Sequence, residues 1–457
     1  MIFSIIQKSQ LEGVHRLDAE YYQPEYFIDF SKGKWKSIGE ILELCQYGIS
    51  QSMNDQKRGY PIFKMDDIDY GFLFDDEVRF ADITDSVFTE FKLQKNDVLF
   101  NRVNSEEFVG RTGIYKLTDL RSVFASYLIR IRVKENGDIL PDYLNIFLNS
   151  AYGLKQIRRF ARRAVNQANV NAEELKQIKI AILPKLEQEK IAELSNKSWQ
   201  EFQGSKIFYS QAENLLLEEL GLKDFKEDNS LFSIVNLSDV KSSHRIDAEY
   251  FQEKYGKMIE VVKIKREVES LDNLFDFNRG IFISTDYYTE EKTQTPYIRI
   301  KELSEKGGIN KDEIIYINKK YIGDEKNKLK ENDLVLAIIG DTIGKTNKID
   351  KELSGGYCSN NTGRLRIKKE WGNKILPECN ELIFQSILIQ SQIEKKKAQT
   401  GQPKINDSEI RSILIPILSK LTQQKIANLI QKSHEARKKA KELLKQAKLK
   451  VEEMIEK

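Results

Sequence analysis

The sequence predicts an α+β fold of two tandem, similar domains, mixed α/β globular bodies each followed by a long α-helix. Three observations predict it. The chain repeats itself once, β-rich runs recur in the body of each copy, and each copy closes in a long polar run without proline.

The repeat is plainest at the start of each copy. Phe3 to Tyr26 reads FSIIQKSQLEGVHRLDAEYYQPEY and Phe232 to Tyr255 reads FSIVNLSDVKSSHRIDAEYFQEKY, identical at 12 of 24 positions with an offset of 229. A second match is longer and ungapped: QANVNAEELKQIKIAILPKLEQEKIAEL from Gln167 lies over QPKINDSEIRSILIPILSKLTQQKIANL from Gln402, an offset of 235. Between them, in the same order, Pro61 to Ile68 answers to Pro296 to Leu303, Leu93-Gln-Lys-Asn-Asp-Val to Leu329-Lys-Glu-Asn-Asp-Leu, and Gly110-Arg-Thr to Gly344-Lys-Thr. Two copies fit 457 residues better than three unrelated domains, and the period far exceeds that of a solenoid, so each copy is a domain in its own right.

Within the copies, Ala125 to Val133 and Asp333 to Ile339 have the composition and turn-bounded length of strands. Helices are expected around Asp142 to Phe160 and Glu378 to Lys397. The polar runs from about Glu187 to Leu220 and from about Thr422 onward read as helices roughly 50 Å long. Gly204 is the one breaker inside the first. Ile191, Ser198, Ser205, Ala212 and Glu219 run beside Leu194, Glu201, Phe208 and Leu215, and Ile426, Ser433, Ala440, Ala447 and Met454 run beside Leu429, Ala436, Leu443 and Lys450. Such small, imperfect seams at equivalent places point to the two helices pairing with each other; the alternative is that each packs on its own domain. The expected boundaries are 1–186 for the first domain, 187–221 for its helix, 222–231 for a linker, 232–421 for the second domain and 422–457 for its helix.

Composition narrows the function. At 40% hydrophobic and 31% charged, with mean hydropathy −0.51, the chain suits a soluble protein with sizeable cores. A net charge of +3 excludes a basic coat, so any nucleic-acid binding must come from local patches. Apolar runs such as Leu334 to Ile339 are too short to span a bilayer, and Met1 to Ile6 is too short for a signal-peptide core, so a cytoplasmic protein without membrane contact is expected. Cys45, Cys358 and Cys379 form no CxxC, which rules out a disulfide framework or zinc ribbon.

Catalytic motifs are missing in turn. Gly340-Asp-Thr-Ile-Gly-Lys-Thr346 is one residue short of a P-loop, which favours a structural turn. All eight prolines are isolated, so there is no Asn-Pro-Pro-Tyr loop of an adenine methyltransferase. His15, Asp18 and Glu20, repeated as His244, Asp247 and Glu249, adjoin Tyr-rich segments and read as a structural box before a metal site. With His434 the only other histidine, no catalytic or metal residue is named.

Local basicity remains. Ile157-Arg-Arg-Phe-Ala-Arg-Arg-Ala164 carries four arginines, followed by Asn166, Gln167 and Asn169; Ile393-Glu-Lys-Lys-Lys397 is followed by Gln399, Thr400, Gln402 and Lys404. Arg and Lys supply phosphate contacts, and Gln, Asn and Arg read base edges. The competing reading is a solvated helix end whose cations complement the dipole.

In these residues the chain resembles the specificity (S) subunit of type I restriction–modification enzymes. The supports are the two-copy layout, the Arg-x-Asp-Ala-Glu-Tyr box, Leu-x-x-Asn-Asp-[Val/Leu] followed by Gly-[Arg/Lys]-Thr, and Gln-x-x-[Val/Ile]-Asn leading into Gln-[Glu/Gln]-Lys-Ile-Ala and a long helix. The first copy departs from the pattern with Arg-Ala-Val-Asn at 163–166, where the second has Gln-Thr-Gly-Gln at 399–402. The resemblance implies a non-catalytic DNA reader for host defence: two target-recognition domains meeting the unlike halves of a bipartite, asymmetric double-stranded site. The helices would pair as an antiparallel coiled coil with pseudo-two-fold symmetry and dock two methyltransferase subunits. Those partners would bind S-adenosylmethionine and methylate adenine N6, motor-nuclease subunits would add cleavage, and this chain itself would bind no cofactor. The DNA-binding candidates are Arg158, Arg159, Arg162, Arg163, Gln167, Lys395, Lys396, Lys397, Gln399, Gln402 and Lys404, then Lys64, Arg102, Arg111, Arg299, Lys301 and Lys345. Two rivals are a specificity module of another methylation-based defence system and a coiled-coil scaffold without DNA specificity.

Overall fold

The computed structural model of the chain describes residues 5, 7, 16, 18–165, 167–226, 232–243, 245–292, 294–306, 308–318, 325–397 and 403–456. The chain divides into two compact units, one of Met1–Phe202 with Lys438–Lys457, the other of Gln203–Arg437. Each unit therefore holds the body of one copy and one half of each long helix, Lys185–Leu220 and Lys420–Glu456.

In the first unit a six-stranded sheet runs in the order Leu42–Tyr47, Leu128–Val133, Val98–Asn101, Thr112–Ile114, Phe72–Leu73, Ile68–Asp69. Val98–Asn101 is buried along its whole length, because both of its faces are covered. Val98 and Phe100 point into a core shared with Tyr143, Phe147 and Ile157, while Leu99 points into another with Phe63, Tyr115 and Phe124. The second unit repeats this two-period split: Leu334 and Leu336 join one core, Val335 and Ala337 the other. Its central sheet runs Phe275–Arg279, Thr362–Ile367, Leu334–Ala337, Thr346–Lys348.

Most repeated motifs turn out to be joints of this scaffold. In Leu-x-x-Asn-Asp, Asn96 and Asn332 take the left-handed conformation, φ 72° and 71°, which Asn tolerates best among residues with a Cβ. The following Asp97 and Asp333 close the turn by accepting from Gln94 N at 2.8 Å and Lys330 N at 2.7 Å. In Gly-[Arg/Lys]-Thr, Gly110 and Gly344 sit at φ 84° and 97°, where a Cβ would also strike Ile157 and Gln390. Thr112 and Thr346 each donate back to that glycine's carbonyl at 2.9 Å. Gly340–Thr346 is therefore such a turn.

The helix expected around Asp142 to Phe160 is two, Pro141–Leu148 and Ala151–Phe160, and its counterpart is Pro377–Gln385 and Ile387–Lys396. Ser150 starts the second piece as an N-cap, accepting from Gly153 N, and Ser386 holds the equivalent place. At the foot of each long helix a buried glutamine clamps three backbone groups: Gln188 accepts from Leu140 N and donates to Asp138 O and Leu183 O, and Gln423 accepts from Leu376 N and donates to Lys374 O and Leu418 O.

The helix halves run antiparallel within each unit. In the first, Ser198 Oγ donates to Ala440 O at 2.8 Å, and Glu187 meets Lys450 at 3.2 Å. In the second, Ser205 and Ser433 Oγ atoms lie 3.0 Å apart, and Ser433 donates to Ser205 O at 2.9 Å. The small residues of the predicted seam are thus the helix–helix contact. The column beside it differs from expectation: Leu194, Glu201, Phe208 and Leu215 are half-buried, whereas Ser195, Phe202, Tyr209 and Leu216, one residue on, are buried. The reason is a second neighbour. Phe202 packs on Tyr70, Phe72 and Phe74 of its own unit's body, and Tyr209 hydroxyl donates to Glu305 O within the other. Pairing and packing on the body occur together, on adjacent faces.

Candidate nucleic-acid interface

The basic run of the first copy crosses an element boundary. Arg158 and Arg159 end the helix Ala151–Phe160, and Arg162 and Arg163 lie on Arg162–Ala164, which pairs with Gln167–Asn169 in a hairpin; Val103–Asn104 extends it to three strands. Asn171 then N-caps the next helix by accepting from Glu174 N, as Asn406 does from Glu409 N, both at 2.9 Å.

The Arg-x-Asp-Ala-Glu-Tyr box fixes this hairpin from behind. Arg16 grips Asp18 with Nε and Nη2, at 2.7 and 2.6 Å, and turns Nη1 to Phe160 O at 2.8 Å, capping the helix that carries Arg158. That hydrogen bonding holds Asp18 below the usual carboxylate range and Arg16 above its ordinary value. In the second copy Arg245 grips Asp247 at 2.7 and 2.6 Å and reaches Lys396 O at 3.3 Å. Among the described residues no group of three His, Cys, Asp or Glu is placed to hold a metal; His15 and His244 lie outside them.

The candidate cations differ in what already holds them. Arg159 lies over the rings of Tyr21 and Phe27, at 4.4 and 4.6 Å, and Lys395 over Tyr250 at 4.8 Å, where burial pulls its ammonium pKa down. Arg162 donates to Glu174 at 2.5 Å and Arg163 to Glu106 at 2.7 Å. Lys396 pairs with Glu409 at 3.2 Å and Lys397 with Glu394 at 2.6 Å. Lys64 pairs with Asp66, Arg299 with Glu302, Lys301 with Glu313 and Lys345 with Glu305. Arg102 lies 5.0 Å over the Tyr47 ring and donates to Ser126 O; exposed Arg111 stacks at 3.9 Å on Phe108. Arg158, Gln167 and Lys404 are exposed. Gln399, Gln402 and Asn166 lie outside the described residues.

The copies agree in scaffold and disagree here. Lys404 bridges to Ile339 as Asn169 pairs with Val103, so a lysine stands where the first copy has an asparagine. Tyr47, whose hydroxyl accepts from Ala172 N, corresponds to Arg279, which pairs with Asp407 at 2.5 Å. Sequence reasoning missed Tyr47, exposed Tyr127 and the carboxylates Glu106, Glu174 and Glu409, since these lie outside the basic runs and reach them through the fold.

Comparison with known proteins places the chain. The type I restriction modification DNA specificity domain matches it twice, at residues 31–195 and 264–449. It is 24% identical over 452 residues to the putative type I restriction enzyme MjaX specificity subunit of Methanocaldococcus jannaschii, covering 95% of this chain and 97% of that protein. It is 28% identical over 197 residues to the type I restriction enzyme EcoKI specificity subunit of Escherichia coli (strain K12), covering 43% of this chain and 40% of that protein. Among solved structures, the S subunit of a type-I restriction-modification system from M. genitalium aligns with TM-score 0.43 at 14% identity, over 94% of this chain and 98% of that one.

Proposed function

The chain belongs to the type I restriction modification DNA specificity domain family, and from that premise we propose that it is the DNA-reading subunit of a type I restriction–modification complex. It catalyses nothing itself. Residues 1–186 and 232–421 act as target-recognition domains joined by the linker 222–231, each reading one half of a bipartite double-stranded site. The helices Lys185–Leu220 and Lys420–Glu456 carry two adenine-N6 methyltransferase subunits on their outward faces, motor-nuclease subunits complete the complex, and its place of work is the cytoplasm.

One observation carries the reading: the family domain occurs twice in one chain, on two bodies whose scaffold joints coincide while residues at matching strand positions differ, Asn169 in one and exposed Lys404 in the other. Two like scaffolds with unlike surfaces suit a site with two unlike halves. Of the candidates, Arg158, Arg111, Gln167 and Lys404 meet DNA first, since phosphate and base-edge contacts are made most readily by exposed side chains, and these four have no carboxylate partner among the described residues. The others exchange a partner to do so.

Co-expression with the methyltransferase encoded beside it, in a methylation-free host, followed by single-molecule sequencing for N6-methyladenine, tests the proposal. A split motif with two unlike halves and a fixed gap is expected. Absence of methylation from a copurifying complex overturns it in favour of a scaffold or another defence system.

A further inference from the structure

Arg162 stands on the outer strand of the hairpin with its side chain 64% exposed, yet its Nε is bonded at 2.5 Å to Glu174 Oε1, a carboxylate only 6% exposed. Glu174 does not depend on Arg162. Its Oε2 accepts from Asn171 N at 2.9 Å, and Nη1 of buried Arg16 lies 3.6 Å from Oε1. Arg16 in turn is fixed to Asp18 and to Phe160 O, so it stays in place if Arg162 swings outward.

We propose that Arg162 is a transferable phosphate contact, parked on Glu174 in the free chain and on non-specific DNA, and passed to a backbone phosphate when the first half-site is correctly seated. The inference rests on the DNA-reading function above. Moving a guanidinium from carboxylate to phosphate replaces one charge-assisted bond by another, so the exchange is nearly balanced once a phosphate comes within bonding distance. Arg16, shared with Asp18, and Asn171 N stay beside the vacated carboxylate, which lowers the penalty of stranding a buried charge. On a poorly seated duplex no phosphate comes close enough, and Glu174 keeps its arginine. Glu174 thereby withholds one phosphate contact from wrong sites, a positioning residue for specificity.

Among its described residues the second copy holds its cation differently. Glu409 holds Lys396, whose side chain is 17% exposed and also donates to Ser412 Oγ at 2.6 Å, so this cation is anchored twice.

The test measures duplex binding against salt concentration, using the full chain in its copurified methyltransferase complex. One duplex carries the methylated site, and a second has the first half-site scrambled. Arg162→Ala is expected to flatten the salt slope by about 0.9 on the intact site and to leave the scrambled duplex unchanged. Glu174→Gln, which preserves the acceptor for Asn171 N, is expected to do the reverse: the slope on the scrambled duplex steepens by about 0.9 and its affinity rises roughly threefold. That gain disappears in the double variant. Equal losses on both duplexes in Arg162→Ala, or a Glu174→Gln gain that survives without Arg162, overturn the proposal. If the unaltered complex fails to distinguish the duplexes, the DNA-reading function falls and the proposal with it.

Discussion

Arg132 meets Asp97 side-on, Nε donating to Oδ1 at 2.6 Å and Nη2 to Oδ2 at 2.9 Å, and Arg366 meets Asp333 in the same way at 2.8 and 2.6 Å. The aspartate of the repeated turn is fully buried in the first copy and nearly so in the second. It ties that turn to the neighbouring central strand. Arg130 also approaches Asp97, at 3.9 Å, so one carboxylate compensates two guanidinium groups. Asp97→Ala is expected to destabilise the first unit by roughly 3–5 kcal/mol, because it leaves buried positive charge unpaired. Denaturant unfolding and limited proteolysis should show a lowered midpoint with cleavage inside 1–202; a change under about 1 kcal/mol contradicts the account.

Ser433 tests the helix seam. Its hydroxyl meets both the side chain and the carbonyl of Ser205 on the facing helix, and it is fully buried there. Ser433→Leu is expected to cost about 1–3 kcal/mol through overpacking, whereas Ser433→Ala, which loses only the hydrogen bond, costs about 1 kcal/mol. Thermal unfolding of the two variants separates volume from polarity.

Gly204 offers a gain. It lies inside the first long helix with a negative φ, and a Cβ there meets nothing within 4 Å. Gly204→Ala is expected to raise stability by about 0.5–1 kcal/mol, measurable as a higher denaturation midpoint.

Asp67 makes part of the stability pH-dependent. Burial pushes its carboxyl up to about 6, despite the bond from Lys64 N at 2.7 Å. Its folded value thus exceeds the unfolded value of about 3.9, so the native state binds more protons and stability falls as pH rises between the two. Asp67→Asn removes that slope. Its stability relative to the unaltered protein is expected to be unchanged near pH 4, to rise, and to level off above about pH 7 in unfolding titrations.

Arg158 reports on the basic helix end. Exposed and without an ion pair to a described residue, it is expected to serve any duplex alike. Arg158→Ala should weaken specific and non-specific binding equally and flatten the salt slope by about 0.9, in contrast to Arg162→Ala.

The duplication, some of the strands and the long helices were legible because they rest on sequence pattern: the turn-bounded β-rich run from Asp333 to Ile339, heptad spacing from Ile191 to Ala212. Their neighbours were not. Heptad spacing puts Phe208 in the seam, yet Tyr209 is the buried residue, since spacing alone cannot tell a helix that faces one partner from one that faces two. The basic run looked freer than it is, because Glu174 and Glu106 reach Arg162 and Arg163 through the fold. The repeated motifs were visible as repeats, yet the function that repetition seemed to mark was mostly joinery, as Asn96, Gly110 and Gln188 show.

The make-up of the units sets an order of assembly on the ribosome. The unit built on residues 203–437 is contiguous in the chain and can close as soon as those residues have emerged. The unit built on 1–202 also needs 438–457, whose Ala440, Leu444, Ala447 and Val451 belong to its core. The part translated first is thus completed last. Until then its helix keeps the uncovered row Ile191, Ser198 on one side, and a nascent chain in that condition offers a binding stripe to chaperones or to another unfinished copy.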